Sequence, residues 1–192
     1  MKNPIIVITA PSGTGKTSIT KYLISKYPQL DFSISATTRQ KRHYEIDSKD
    51  YYFINEGSFL SDINDDKFIE WEMVYKNKYY GTYRSEIERI WESQKIPVLD
   101  LDVKGALHIK AQFPSSIIIF IQPPSIEELS RRLENRNTET PETMYIRLNK
   151  AQYELSFKDN FDYIVTNDVL EDACDKTGNI IHQHCLNKLT FE

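Results

Sequence analysis

The sequence predicts an α/β fold, a mostly parallel sheet with helices on both faces. Two observations predict it. Short apolar runs at residues 5–9, 97–101 and 116–122 read as buried strands. Segments with helical spacing of apolar residues stand between and after them. The chain has 192 residues, 40% hydrophobic and 27% charged, enough for one compact domain with its own core.

The elements follow in order. The run at 5–9 enters the loop Ala10-Pro11-Ser12-Gly13. Residues 17–27 carry Ile19, Leu23 and Tyr27 on one helical face, and Pro28 stops them. Residues 32–38 alternate like one strand. Between Arg39 and Arg84 the chain is rich in Tyr, Asp, Glu and Lys, with short strands expected at 51–54, 68–75 and 79–83. This region reads as a small mixed lobe inserted into the main fold. A strand at 97–101 carries Asp100 near its end, and Asp102 precedes a helix at 103–112. The most apolar strand, 116–122, ends at Pro123-Pro124. Ser125 and Glu128 form a capping box ahead of a helix that turns Ile126, Leu129 and Leu133 inward. Thr140-Pro141 starts another helix, 161–166 is the last strand, and a helix runs on from Val169.

Composition excludes some functions. The net charge of −4, from 24 Lys and Arg against 28 Asp and Glu, argues against a general nucleic-acid coat. The longest apolar stretch, around 117–121, is far short of a membrane span, and the first residues lack a signal-peptide pattern. Cys174 and Cys185 form neither a disulfide scaffold nor a CxxC motif. With His182 and His184 they lack an established metal-ligand spacing. A cytoplasmic location is the simple expectation.

The strongest local signal is Ala10-Pro11-Ser12-Gly13-Thr14-Gly15-Lys16-Thr17. Its ending matches the Walker A phosphate loop, with Ala10 in the place of the first Gly. Gly13 and Gly15 allow a tight backbone turn whose amides converge on an anion. The following helix adds its positive N-terminal end. Lys16 supplies a point charge to the β- and γ-phosphates, and the Thr17 hydroxyl suits Mg²⁺. The expected strand before and helix after complete the context. A nucleoside triphosphate site follows; the acceptor stays open at this point.

The acceptor signal is an ordered set. Ser35 to Arg42 holds Arg39 and Arg42 three apart. Then come Lys49-Asp50-Tyr51-Tyr52-Phe53, Phe68-Ile69-Glu70-Trp71, Tyr79-Tyr80-Gly81-Thr82, Leu99-Asp100-Leu101-Asp102, the stretch from Arg132 to Glu139, Arg147-Leu148 and Val165-Thr166-Asn167-Asp168. This order resembles the guanylate kinase family over nearly the whole chain. The resemblance implies a P-loop NTPase-type parallel sheet flanked by helices, with a GMP-binding lobe at 35–86, a helical lid at 124–159 and a core from 1–34, 87–123 and 160–192. It implies γ-phosphoryl transfer from ATP to GMP with Mg²⁺, in purine nucleotide metabolism, by a monomer or homodimer.

Carried over, Arg39, Arg42, Tyr51 and Tyr80 would bind the GMP phosphate, and Ser35, Glu70 and Thr82 would read guanine with help from Asp102. A carboxylate suits that task, since guanine offers N1–H and its 2-amino group side by side and adenine presents an acceptor at N1. Asp100, at the carboxyl end of a buried strand, would orient Mg²⁺-bound water or the acceptor's phosphate pocket. One of Asp100 and Asp102 is also a natural cap for the next helix. Arg132, Arg136 and Arg147 would reach the ATP phosphates from the lid, and Asn167 would touch the adenine edge. Tyr52 and Tyr79 read as packing. The chain departs from the family pattern at Tyr83, Lys104 and Asn137, where a small hydroxyl residue, Gln and Gly are common. Two other functions fit the same fold: a kinase of another phosphorylated acceptor, and a non-enzymatic binding module. The intact phosphate loop counts against the module, and Glu70 with Thr82 favours guanine.

Overall fold

The computed structural model describes residues 4–135 and 141–184. In chain order the first half holds β1 (Ile6–Thr9), α1 (Lys16–Lys26), β2 (Leu30–Phe32), β3 (Ser35–Thr37), β4 (Tyr52–Phe53), α2 (Glu56–Asn64), β5 (Phe68–Tyr75), β6 (Lys78–Tyr83) and α3 (Arg84–Glu92). The second half holds β7 (Ile96–Leu101), α4 (Val103–Gln112), β8 (Ile117–Gln122), α5 (Ile126–Glu134), α6 (Pro141–Leu155), β9 (Tyr163–Thr166) and α7 (Leu170–His184).

Five parallel strands form the main sheet in the order β2-β7-β1-β8-β9. Its central strands are mostly apolar, with Thr9, Asp100 and Gln122 only toward their carboxyl ends, because both faces are covered. Successive side chains of β1 enter two different cores, as the pleat requires. Ile6 and Ile8 pack with Ile19 and Leu23 of α1 and Ile181 of α7. Val7 packs on the opposite side with Leu99, Phe120 and Ile109 of α4. This order puts β1, β7 and their following loops side by side at one end of the sheet, which is where ligands bind in such folds.

A second, mixed sheet has the order β4-β3-β6-β5. Its core is Ala36, Phe59 of α2 and Phe68, with the Phe59 and Phe68 rings stacked 4.5 Å apart. Asn55 caps α2 by accepting from the Ser58 amide at 2.8 Å.

Two expectations need correction, the single strand at 32–38 and the complete capping box. The alternating stretch 32–38 is two strands in two sheets, not one. Between them Ile34 donates its amide to the Glu86 carboxylate at 3.0 Å, so the chain leaves one ladder and enters another. Helix α2 supplies the helical part of the expected mixed α+β lobe, and α3 follows it; in α3, Ile87 and Ile90 are the buried pair three apart. The capping box before α5 is half made. The Ser125 hydroxyl accepts from the Glu128 amide at 3.2 Å, but the Glu128 carboxylate pairs with Arg131 and Arg132. Among the described residues no helix is long and apolar enough to cross a membrane.

Candidate active site

One cleft lies between the end of the main sheet and the second sheet. Its walls include the loop after β1, the ends of β5, β6 and β7, and the inner face of α6.

The first wall is the phosphate loop. Gly13 and Gly15 have φ of 97° and 94°, a left-handed conformation that L side chains rarely adopt. Either Cβ would also collide, at Gly13 with Leu133 and Leu129 of α5 and at Gly15 with the Asn167 amide. Ala10 is not among the positive-φ residues, so its methyl is unstrained in the place of the first Gly. Gly15 caps α1 without a side-chain hydrogen bond, leaving the N-terminal amides without a side-chain acceptor. Thr14 locks the turn, its hydroxyl donating to the Pro11 carbonyl at 2.9 Å. Lys16 reaches from α1 to the end of β7. Its Nζ lies 2.6 Å from Asp100 Oδ1 and 2.6 Å from the Leu101 carbonyl. Thr17 Oγ1 is 3.5 Å from Asp100 Oδ2. Thr17 and Asp100 therefore bring a hydroxyl and a carboxylate together, a hard-oxygen pair that suits Mg²⁺. That ion takes only one or two protein oxygens when phosphates supply others. Asp102, not Asp100, caps α4, accepting from the Gly105 amide at 2.9 Å.

The second wall is built across strands. Ser35 of β3 is in register with Thr82 of β6, and Thr82 with Glu70 of β5. Three positions far apart in sequence so become neighbours on one line of the sheet. Glu70 is 6% exposed and lines the cleft. Its carboxyl is pushed up to about 7, first by burial and then by the charges of Asp102 and Glu72, with the Thr82 hydrogen bond opposing. Thr82 is fully buried and donates to Glu70 Oε1 at 2.6 Å. It therefore braces Glu70 from within the sheet. Gly105 is required here: a Cβ would come within 2.7 Å of Glu70 Oε2.

Tyr51 and Tyr80 line the cleft with ring centroids 6.1 Å apart. Burial raises the Tyr51 hydroxyl well above its ordinary value. The Arg39 guanidinium lies over the Tyr51 ring at 4.8 Å. It is gripped by both oxygens of Glu45, at 2.6 and 2.5 Å. Burial pulls the guanidinium down, but Glu45, Tyr80 and Tyr51 together outweigh it and the net shift is upward. Glu45, which the sequence reading did not single out, is held below the usual carboxylate range by Arg39. It also accepts the Arg42 amide at 2.8 Å. The spacing Arg42-x-x-Glu45 was the signal available. Arg42 itself is exposed, with Nη1 3.2 Å from the Tyr44 hydroxyl.

The arginines expected on the lid divide. Arg147 of α6 lines the cleft and donates to Ser12 Oγ of the phosphate loop at 2.9 Å. Arg132 is turned away: it donates to the Asn167 and Asp168 carbonyls at 2.8 and 3.1 Å and pairs with Glu128 at 2.7 Å. Arg136 and Asn137 lie outside the described residues. Asn167 is 3% exposed and donates to the Thr14 carbonyl at 2.6 Å. It braces the back of the phosphate loop. Tyr83 stacks on Phe68 at 4.5 Å and donates to Asp62 at 2.6 Å, on the side of β6 away from Thr82. The larger side chain thus leaves the Glu70–Thr82 pair undisturbed. Tyr52 donates to Glu86 at 2.8 Å, and Tyr79 packs near Phe59 at 5.5 Å. Lys104 lies 4.0 Å from Glu72 at the cleft rim. His184 shares a 2.8 Å hydrogen bond with the Tyr163 hydroxyl, and Cys174 is buried. Two further charged residues of α6 line the cleft unforeseen, Lys150 and Glu154.

Comparison with known proteins finds guanylate kinases similar to this chain. The guanylate kinase family model covers residues 1–184. The chain is 43% identical to a guanylate kinase of Thermotoga maritima over 181 residues, 94% of this chain and 87% of the relative. It is 42% identical to a guanylate kinase of Bacteroides thetaiotaomicron over 98% of this chain and 92% of that one. The crystal structure of a guanylate kinase from Anaplasma phagocytophilum superposes with a TM-score of 0.79 at 27% identity, covering 98% of this chain and 88% of that one.

Proposed function

The chain belongs to the guanylate kinase family, and on that premise we propose how its cleft divides the work of phosphorylating GMP with ATP. The enzyme transfers the γ-phosphoryl group of ATP to GMP, giving ADP and GDP. The observation that carries the assignment of walls is the pairing, across one cleft, of a phosphate loop with a buried carboxylate set on a sheet.

The triphosphate sits on the loop from Ala10 to Thr17, its β- and γ-oxygens taken by backbone amides and Lys16. GMP sits on the second sheet. The Glu70 carboxylate accepts from guanine N1–H and the 2-amino group, Thr82 holds it from behind, and Ser35 lies beside them. Tyr51, Tyr80 and Arg39 bind the GMP phosphate, with Arg42 at the rim. One phosphate oxygen of GMP attacks the γ-phosphorus, the bond to the β-phosphate oxygen breaks, and ADP leaves. No covalent enzyme intermediate is needed, because positioning and charge stabilisation supply most of the catalysis. Lys16 and Arg147 face the transferring group from two sides. Thr17 and Asp100 would hold Mg²⁺, which would supply charge neutralisation for the transferring phosphate. Closure of α6 over the cleft excludes water, which limits loss of ATP to hydrolysis.

ADP release with ATP·Mg²⁺, measured with GMP, AMP, CMP, UMP or no acceptor, tests the reading. ADP should appear with GMP alone. Equal turnover of AMP would remove Glu70 from base selection, and turnover of none would overturn the assignment.

A further inference from the structure

The proposed mechanism leaves one cation of the cleft without a task. Lys150 stands three residues after Arg147, so both lie on the same face of α6. They reach different walls. Arg147 meets Ser12 of the phosphate loop. The Lys150 ammonium donates to the Val74 carbonyl of β5 at 3.4 Å and lies 4.8 Å from the centre of the Tyr75 ring. It is also 3.8 Å from Asp102 Oδ2 and 3.6 Å from Glu154 Oε1. Asp102 uses its other oxygen to cap α4, so the oxygen toward Lys150 is held in place. Glu154, one turn further along α6 and 4% exposed, backs the ammonium from the helix side.

This is not the setting of a solvated surface lysine. A single ammonium touches three separate parts of the molecule: the lid helix that carries it, the core loop after β7, and the acceptor-side strand β5. The partners from β5 are a backbone carbonyl and an aromatic face, which record where the strand is and not its side-chain charge. Ser35, Glu70 and Tyr80 share that sheet, so its position is the position of the acceptor site.

Resting on the functional reading above, we propose that Lys150 is a positioning residue for phosphoryl transfer. It ties α6 to the acceptor sheet, so that Arg147 is set against the donor phosphates when the acceptor sheet is seated. Binding of GMP and binding of ATP are then coupled through Lys150, and the coupling is reciprocal.

The test compares wild type with Lys150→Met, which keeps stem length without charge, and Lys150→Arg. The readouts are kcat, both KM values, and the factor by which GMP tightens binding of a non-hydrolysable ATP analogue. In Lys150→Met, kcat should fall about 10- to 100-fold, the scale of a misplacement away from the reacting atoms. The coupling factor should fall at least about 5-fold, while each nucleotide alone binds within about 3-fold of wild type. Lys150→Arg should restore both. A Lys150→Met enzyme with wild-type kcat and coupling overturns the inference and leaves the functional reading standing. A wild type that does not phosphorylate GMP overturns both. If the methionine variant does not fold, Lys150→Gln is measured in its place with the same two outcomes.

Discussion

On the proposed reading, the two walls of the cleft recognise their ligands by different means. The donor wall is local. Eight consecutive residues, two of them glycines at φ of 97° and 94°, shape the backbone into an anion site. The acceptor wall is assembled from β3, β5 and β6, and its recognition lies in side chains brought together by strand register. The donor wall must bind a phosphate chain, which amides and a lysine do without reading a base. The acceptor wall must tell one base from another, which takes a buried group that a wrong base leaves unpaired. Charge follows the same division. Lys16 meets Asp100 at 2.6 Å at the cleft floor, whereas Glu70 is buried deeply enough to be pushed up to about 7.

The largest expected effect is on the donor wall. Lys16→Ala should lower kcat/KM about 10²- to 10³-fold or more, comparable to removing one preorganised donor from a charged transition state. Steady-state kinetics at saturating GMP checks it. An enzyme that keeps full activity would remove the loop lysine from the chemistry.

On the acceptor wall the effect is smaller and pH-dependent. The Glu70 carboxyl holds its proton in the fold up to about 7, against 4.5 unperturbed. The native state therefore binds a proton between those values that the unfolded chain has lost. Its contribution to stability is present below the unfolded value and is lost as pH rises through about 7. GMP needs the ionised form, so the KM for GMP should fall as pH rises from 6 to 8, by up to about 10-fold per unit on the acid side. The KM for ATP should stay flat. The phosphate of GMP also titrates near 6, so the same series on Glu70→Gln isolates the carboxyl. A GMP profile unchanged by that substitution would contradict the role. Glu154, also pushed up to about 7 by burial, adds a stability slope of the same sign that survives in Glu70→Gln.

The smallest effect sharpens the boundary of the donor wall. Asn167→Ala leaves the buried Thr14 carbonyl without its 2.6 Å donor. Urea unfolding should show a loss of about 1–3 kcal/mol, with a few-fold rise in the KM for ATP. An unchanged midpoint would mean that the loop holds its shape unaided.

The contrast between the walls also explains what could be read in the sequence. The phosphate loop was legible because the chemistry and the local backbone share one stretch. The main strands were legible because both faces are apolar. Ser35, Glu70 and Thr82 were legible only as members of an ordered family pattern, since nothing in a lone Phe-Ile-Glu-Trp says that the carboxylate is buried. The pattern did not reveal the hydrogen bond from Thr82 to Glu70, because that depends on which face of β6 is covered. Arg132 and Asn167 were assigned to ATP, yet both spend their polar atoms on backbone carbonyls, a use invisible without the fold. Glu45, Lys150 and Glu154 were missed because isolated charges on polar segments are usually solvated. The split of residues 32–38 escaped notice because a period of two does not say which sheet a strand joins.

The central claim is that the Glu70 carboxylate reads the guanine edge. Inosine monophosphate differs from GMP only in lacking the 2-amino group. The most direct measurement is the ratio of kcat/KM for GMP to that for inosine monophosphate, in wild type and in Glu70→Gln. The account predicts a wild-type preference for GMP of about 10²-fold or more that collapses toward parity in the variant. The same ratio in both enzymes would contradict it.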